Sequence, residues 1–155
     1  MTFREFIKPK TLYVKRAVLN AREIRLWALN SGFATTLPPD DLHVTIAFSR
    51  TPFDWSAIPP DEREVIVPPA SDRIVTLLGD GGAIVLKFNS DVLTKEWRSY
   101  RDAGASWDFP EYQPHMTISY SKMPSDLSPW TGEIRLGPQK FAEVDENWKD
   151  AVKEI

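Results

Sequence analysis

Apolar and polar residues alternate along Thr11–Val18 (TLYVKRAV), the period of a half-buried strand. Asn20 then predicts a helix cap, with Glu23 three positions later completing a capping-box pattern. Ile24, Trp27 and Ala28 recur at helical spacing, and Gly32 marks the stop. Pro38-Pro39 predicts a turn before a strand from Asp41 to Ser49; Pro59-Pro60 and Pro68-Pro69 bracket a short strand near Glu64–Val67. Two apolar runs, Arg73–Leu78 and Ala83–Phe88, flank Gly79-Asp80-Gly81-Gly82 and predict a hairpin. Ser90 predicts a second cap, and the helix runs to Ala103 with Leu93, Trp97 and Tyr100 inward. A loop from Ala105 to Pro114 leads to a strand His115–Tyr120. A last strand pair follows near Glu133–Leu136 and Lys140–Val144, then a polar tail carrying Trp148. Strand–helix–strand at both ends of the order predicts an α+β domain with two similar halves, expected to span residues 1–155 as one unit.

The halves also share residues. Residues 42–50 read LHVTIAFSR and residues 114–122 read PHMTISYSK, so a His, a Thr, an Ile and a Ser coincide. Strand alternation puts His43, Thr45 and Ala47 on one face, with Val44, Ile46 and Phe48 on the other. The same rule groups His115, Thr117 and Ser119 against Met116, Ile118 and Tyr120. Each copy thus presents an imidazole beside a hydroxyl. An imidazole titrates near neutrality, so it exchanges protons at working pH, and a hydroxyl donates to a phosphate oxygen. Two such pairs facing one another supply a base, an acid and two donors for the charge that grows on a phosphodiester in its transition state. His43 and His115 are the protein's only two histidines. Ser and Thr together fill 21 of 155 positions. Both histidines being followed at the second position by one of them has a chance probability of only about 2% at that composition. The bland reading, two half-buried structural histidines, is correspondingly weak.

Composition narrows the chemistry. There is no cysteine, hence no thiolate nucleophile, disulfide framework or Cys-based metal site. Neither histidine motif has carboxylates at metal-ligand spacing, so neither a metal nor a cofactor is expected. No glycine-rich phosphate loop joins a strand to a helix. There is no apolar run of membrane-spanning length and no secretory leader, so the expectation is a cytoplasmic protein. A net charge of −3 disfavours long nucleic acid as partner. The charge is uneven: Arg4, Lys8, Lys10, Lys15, Arg16, Arg22 and Arg25 crowd the start, acidic residues the end. That early run is either a solvated surface or a local patch for a small phosphate ligand.

The paired H-x-T motifs, roughly 70 residues apart on strands of a two-half α+β domain, resemble the 2H phosphoesterase superfamily, which includes 2′-5′ RNA ligase-like proteins and cyclic phosphodiesterases. That resemblance implies a pseudo-symmetric, two-lobed fold with antiparallel sheets around a cleft. It also makes His43 and His115 catalytic and Thr45 and Thr117 phosphate-binding. Three segments look like the phage anti-CBASS nucleases: Leu12-Tyr13-Val14-Lys15-Arg16, Asp40-Asp41-Leu42-His43-Val44-Thr45, and Gly104-Ala105-Ser106-Trp107-Asp108 through Tyr112-Gln113-Pro114-His115. Those proteins degrade the cyclic di- and trinucleotide messengers of bacterial CBASS immunity. The implied substrate is then a small cyclic oligonucleotide cut at its 3′-5′ bonds, with Tyr13, Glu143 and Trp148 as its contacts. Tyr13 otherwise fills core, Trp148 otherwise anchors the tail, and Glu143 is otherwise a solvated carboxylate. Trp107 is read as structural. The alternatives are an esterase acting on RNA ends, at 2′-5′ linkages or 2′,3′-cyclic phosphates, and an inactive nucleotide-binding module.

Overall fold

The computed structural model describes residues 9–145. Its elements are β1 (Lys10–Val18), α1 (Ala21–Asn30), a 3₁₀ turn (Pro39–Asp41), β2 (His43–Phe53), β3 (Val65–Val67), β4 (Ile74–Leu78), β5 (Ala83–Lys87), α2 (Asp91–Asp102), β6 (His115–Ser119) and β7 (Ile134–Ala142). They form an α+β architecture of two antiparallel sheets, ordered β2-β1-β7-β3 and β4-β5-β6. In each half a helix connects two strands that pair with one another: β1-α1-β2 in the first, β5-α2-β6 in the second. Strands β2 and β6, which open on the two histidines, lie side by side where the sheets meet.

One apolar core runs beneath both sheets. Leu12, Val14, Val44 and Ile46 from the first join Ile84, Leu86, Met116 and Ile118 from the second, with Ile24 and Ala28 of α1 and Leu93 and Tyr100 of α2. Each large side chain buried there contributes about 1.5–3 kcal/mol. Into this core β1 inserts Arg16, whose exposure is 0%. Its guanidinium donates to both oxygens of Glu96 on α2 at 3.0 and 2.9 Å, to Asp61 at 3.2 Å, and to the carbonyls of Arg63 and Gly137 at 2.7 and 2.8 Å. Gln139 and Tyr100 extend the network: the amide of Gln139 donates to Glu96, and the Tyr100 hydroxyl donates to Gln139 at 2.6 Å. Asp61 is held down to about 2, first by the Arg63 guanidinium hydrogen-bonded to it, so it stays a carboxylate across the neutral range.

Several expectations need correction. Asn20 precedes α1 but its side chain caps nothing there. It donates instead to the Glu133 carbonyl and accepts from the Arg135 amide, which ties the start of α1 to β7. Asp41 belongs to the 3₁₀ turn, and β2 runs on to Phe53 instead of stopping at Ser49. The final strand pair is one continuous strand. Gly137-Pro138, in the gap between the two expected strands, sits where β7 bulges: Arg16 pairs with Gln139 and Val18 with Leu136, so the proline's missing N–H falls where the ladder is already interrupted. Of the early cationic run, Arg4 and Lys8 lie outside the described residues. Arg16 is buried, Lys10 lies over the Trp55 ring, Lys15 turns to the cleft, and Arg22 and Arg25 are exposed on α1. By contrast, Ser90 caps α2 as expected, accepting from the Leu93 amide at 3.2 Å.

Breaking a buried ion pair on one side leaves the partner charge stranded. Arg16→Met is therefore expected to lower unfolding free energy by about 3 kcal/mol or more, read as a shifted urea midpoint. An unchanged midpoint would show that the node is dispensable.

Candidate active site

Both histidines are the first residue of their strand, and both are held by the same backbone bond. His43 Nδ1 lies 2.8 Å from the carbonyl of Asp41, and His115 Nδ1 lies 2.8 Å from the carbonyl of Gln113, in each case two residues back. A carbonyl only accepts, so Nδ1 carries the proton in both rings, and in the neutral form Nε2 keeps the lone pair. The extended approach to each strand, after the 3₁₀ turn in one case and through Pro114 in the other, sets this geometry.

The strands match in a second respect. In the first half Ala17 pairs with His43 and Lys15 with Thr45; the ladder then skips Ile46 and resumes at Val14 with Ala47. In the second half Lys87 pairs with His115 and Val85 with Thr117; the ladder then skips Ile118 and resumes at Ile84 with Ser119. The same bulge falls at the same isoleucine of the repeat. It also corrects the expected faces. Beyond the bulge the alternation inverts, so Ala47 joins the core while Phe48 packs with Tyr13 on the cleft face. Ser119 likewise pairs with core residue Ile84, and Tyr120, just past the end of β6, is 40% exposed.

Tyr13 is only 9% exposed, and its hydroxyl reaches His43 Nε2 at 3.0 Å and Thr45 Oγ1 at 3.3 Å. With the proton of His43 fixed on Nδ1, the Tyr13 hydroxyl donates to Nε2 of the neutral ring and accepts from Thr45. Core filling and contact with the motif are thus the same residue's two roles. In the other half Thr117 Oγ1 is buried with no hydrogen-bond partner among the described residues. A buried hydroxyl of that kind gains a bond when an outside acceptor arrives.

The loop before β6 bridges the halves. The Tyr112 hydroxyl donates to the Thr45 carbonyl at 2.7 Å, and burial pushes its phenol well above the ordinary range, so it remains a donor. Arg50 of β2 pairs with Asp108, and Ser49 accepts from the Ser106 amide. Trp107, read from sequence as structural, packs against Tyr13 and Phe48 and also lines a cavity of about 280 Å³ beside His115. Its place beside His115 was not read from the sequence. The signal for it was three aromatics, Trp107, Phe109 and Tyr112, within six residues of one loop. A smaller cavity of about 150 Å³ adjoins His43, walled by Lys15, Lys140, Asp40 and Asp41. Glu143 is exposed just after β7 ends, and Trp148 lies outside the described residues. Among the described residues no group of three or more His, Asp or Glu side chains is placed to hold a metal, and no helix is long and apolar enough to cross a membrane.

Residues 10–151 match the family described as Anti-CBASS protein Acb1. The chain belongs to that family. Relatives carrying the same description come from Caulobacter sp. (strain RHG1), 47% identical over 154 residues, and from Sphingomonas paeninsulae, 46% identical over 150. These cover 95% and 91% of the chain but only 25% and 24% of the relatives, so the chain spans about a quarter of their length. The family member of Enterobacteria phage T4 is 28% identical over 121 residues, 76% of each chain. The chain shares its fold with solved structures of low sequence identity. It superposes on Escherichia coli LigT complexed with ATP at a TM-score of 0.59, with 13% identity over 91% of both chains. It superposes on a crystal structure titled phosphoesterase at 0.58, with 14% identity over 88% of this chain and 89% of that one.

With two histidines in the chain, nitrogen NMR of labelled imidazoles is readily assigned. Above the titration of both rings, each neutral ring is expected as the Nδ1–H tautomer. An Nε2–H signal from either ring would contradict the backbone bonds described here.

Proposed function

We propose that this domain is a phosphodiesterase that opens the 3′-5′ bonds of cyclic di- and trinucleotide messengers without a metal, and that a phage uses it to evade CBASS immunity. The observation that carries the reading is the duplicated His-x-Thr strand, each copy with its imidazole locked at Nδ1 and a threonine hydroxyl alongside. Membership of the anti-CBASS family supports it. So does the fold shared with LigT, solved with ATP, with 3′-AMP and with phosphate.

The chemistry follows from the groups at hand. The chain offers no thiol, and a ribose 2′-hydroxyl already sits beside the scissile phosphate, so its attack has the effective molarity of an intramolecular reaction. One Nε2 lone pair removes the 2′-hydroxyl proton. The oxygen attacks phosphorus, the bond to the 5′-oxygen breaks, and the other ring, protonated at Nε2, gives that oxygen its proton. A 2′,3′-cyclic phosphate results. Thr45 and Thr117 donate to the non-bridging oxygens, and Tyr13 is proposed to orient His43 and Thr45. Glu143 and Trp148 remain proposed substrate contacts.

His43→Ala and His115→Ala are each expected to lose most of kcat, and the double variant to be little worse than either, because the pair acts as a unit. Thr45→Ala and Thr117→Ala are expected to cost on the order of 10- to 1000-fold. Turnover by the wild type is expected to survive excess EDTA. Near-normal turnover in a correctly folded histidine variant would sink the mechanism, and EDTA loss reversed by one divalent ion would overturn its metal-free character.

A second test addresses the attacking group. Replacing by hydrogen the 2′-hydroxyl next to the scissile bond is expected to abolish cleavage and leave binding largely intact. If the all-deoxy ring is cut at a comparable rate, water is the nucleophile instead.

A further inference from the structure

The two cavities beside the histidines differ in kind. The one at His43 is small and charged. The one at His115 is nearly twice as large and mostly apolar, formed by Trp107 and Phe109 on one side and by Leu78, Ala83 and the β4–β5 turn on the other, with Lys87 at its edge. Apolar concavities with a few polar groups at the rim are where flat organic ligands bind.

Its aromatic wall is rigid. The Trp107 indole N–H donates to the Glu111 carbonyl at 3.0 Å, which fixes the ring's rotation. Its edges meet the rings of Trp97 and Tyr112 at 6.1 and 5.8 Å, and those two stack on one another at an interplanar angle of 10°. Phe109 sits edge-on to Trp107 at 5.7 Å and is 44% exposed, although an apolar ring gains by burial. Fixed loop aromatics, one of them open to solvent, beside an imidazole and across from a lysine make a stacking platform next to a phosphate position.

We infer that the cavity walled by Trp107, Phe109 and Ala83 is the subsite for one nucleobase of the substrate, the base of the nucleoside whose phosphate is held at His115. The inference rests on the phosphodiesterase reading above and gives it an anchor that the histidine motifs lack. The motifs recognise a phosphodiester of any kind; the platform requires a base beside it. Lys87, paired with His115 across β5 and β6, lies where the cavity meets that phosphate.

The test uses the intact protein and cyclic di-adenosine monophosphate, with cleavage and equilibrium binding both measured. Phe109→Ala, at the exposed rim, is expected to raise KM and Kd by about 5- to 100-fold, the span of one lost base stack. Its kcat is expected to stay within about threefold and its Tm within a degree or two, and Phe109→Tyr is expected to restore binding. Ala83→Leu, which fills the cavity from the hairpin, is expected to weaken binding similarly. Wild-type KM and Kd in both Phe109→Ala and Ala83→Leu would overturn the inference while the wild type still cleaves the ring. So would a fall in kcat at constant Kd, which would place Phe109 with the chemistry instead. If the wild type neither binds nor cleaves cyclic dinucleotides, the phosphodiesterase reading itself has failed.

Discussion

A fully buried guanidinium holds the two halves of this protein in one relation. Arg16 leaves β1 on the face opposite the cleft and reaches Glu96 on α2, so the central strand of the first sheet is tied to the helix of the other half. A buried cation is costly unless it is paired and its donors are satisfied. Here two carboxylates and two carbonyls meet the demand, and they come from three segments: α2, the Asp61–Arg63 stretch and the β7 bulge. Those segments are therefore correct only together. The residues on either side of Arg16, Lys15 and Ala17, pair with Thr45 and His43. A shift of this strand moves the first motif directly, so the electrostatic bond under the sheet determines where the reactive face above it sits.

The halves repeat in backbone more faithfully than in charge. Both carry the imidazole lock two residues back and both carry the bulge at the repeat's isoleucine. The lysines break the symmetry: one lies opposite the threonine in the first half, one opposite the histidine in the second. Duplicated backbone geometry is what the proposed chemistry needs, since in it both imidazoles present Nε2. Around that frame the side chains differ, and a charged and an apolar cavity are the result.

The motif pair, both helices and the hairpin were legible because each rests on a local signal: periodicity, the Ser90 cap, glycines in a turn. What was not legible depended on partners far along the chain. Asn20 has the residue type of a cap and the spacing of a capping box, yet β7, more than a hundred residues away, competes for its side chain and wins both of its hydrogen-bonding ends. Gly137-Pro138 has turn chemistry, but a bulge accepts the same residues. The bulges at Ile46 and Ile118 leave no mark on the hydrophobic pattern, so strict alternation misplaced Ala47, Phe48, Ser119 and Tyr120. Arg16 looked like surface charge since nothing local announces Glu96 eighty positions on. The cavity beside Trp107 went unread for the same reason, being built from a hairpin and a loop that only the fold brings together.

That loop carries a further consequence. By sequence it belongs to the second half, yet three contacts latch it to β2 of the first: Ser106 with Ser49, Asp108 with Arg50, and Tyr112 with the Thr45 carbonyl. Its last residues then deliver Gln113, whose carbonyl orients His115. The path from Thr45 to the His115 ring is thus one hydrogen bond, two residues of chain and a second hydrogen bond. A cleft between two lobes ordinarily opens and closes by moving one lobe against the other, with hinges at loops that absorb the change. Here the connecting loop is bonded at both motifs, so motion of that kind would have to break the Tyr112 bond, whose buried hydroxyl would then lose its acceptor at a cost of about 1–3 kcal/mol. The two imidazoles therefore stand at a spacing set by the fold before any ligand arrives, which is the preorganisation that the proposed acid–base pair requires.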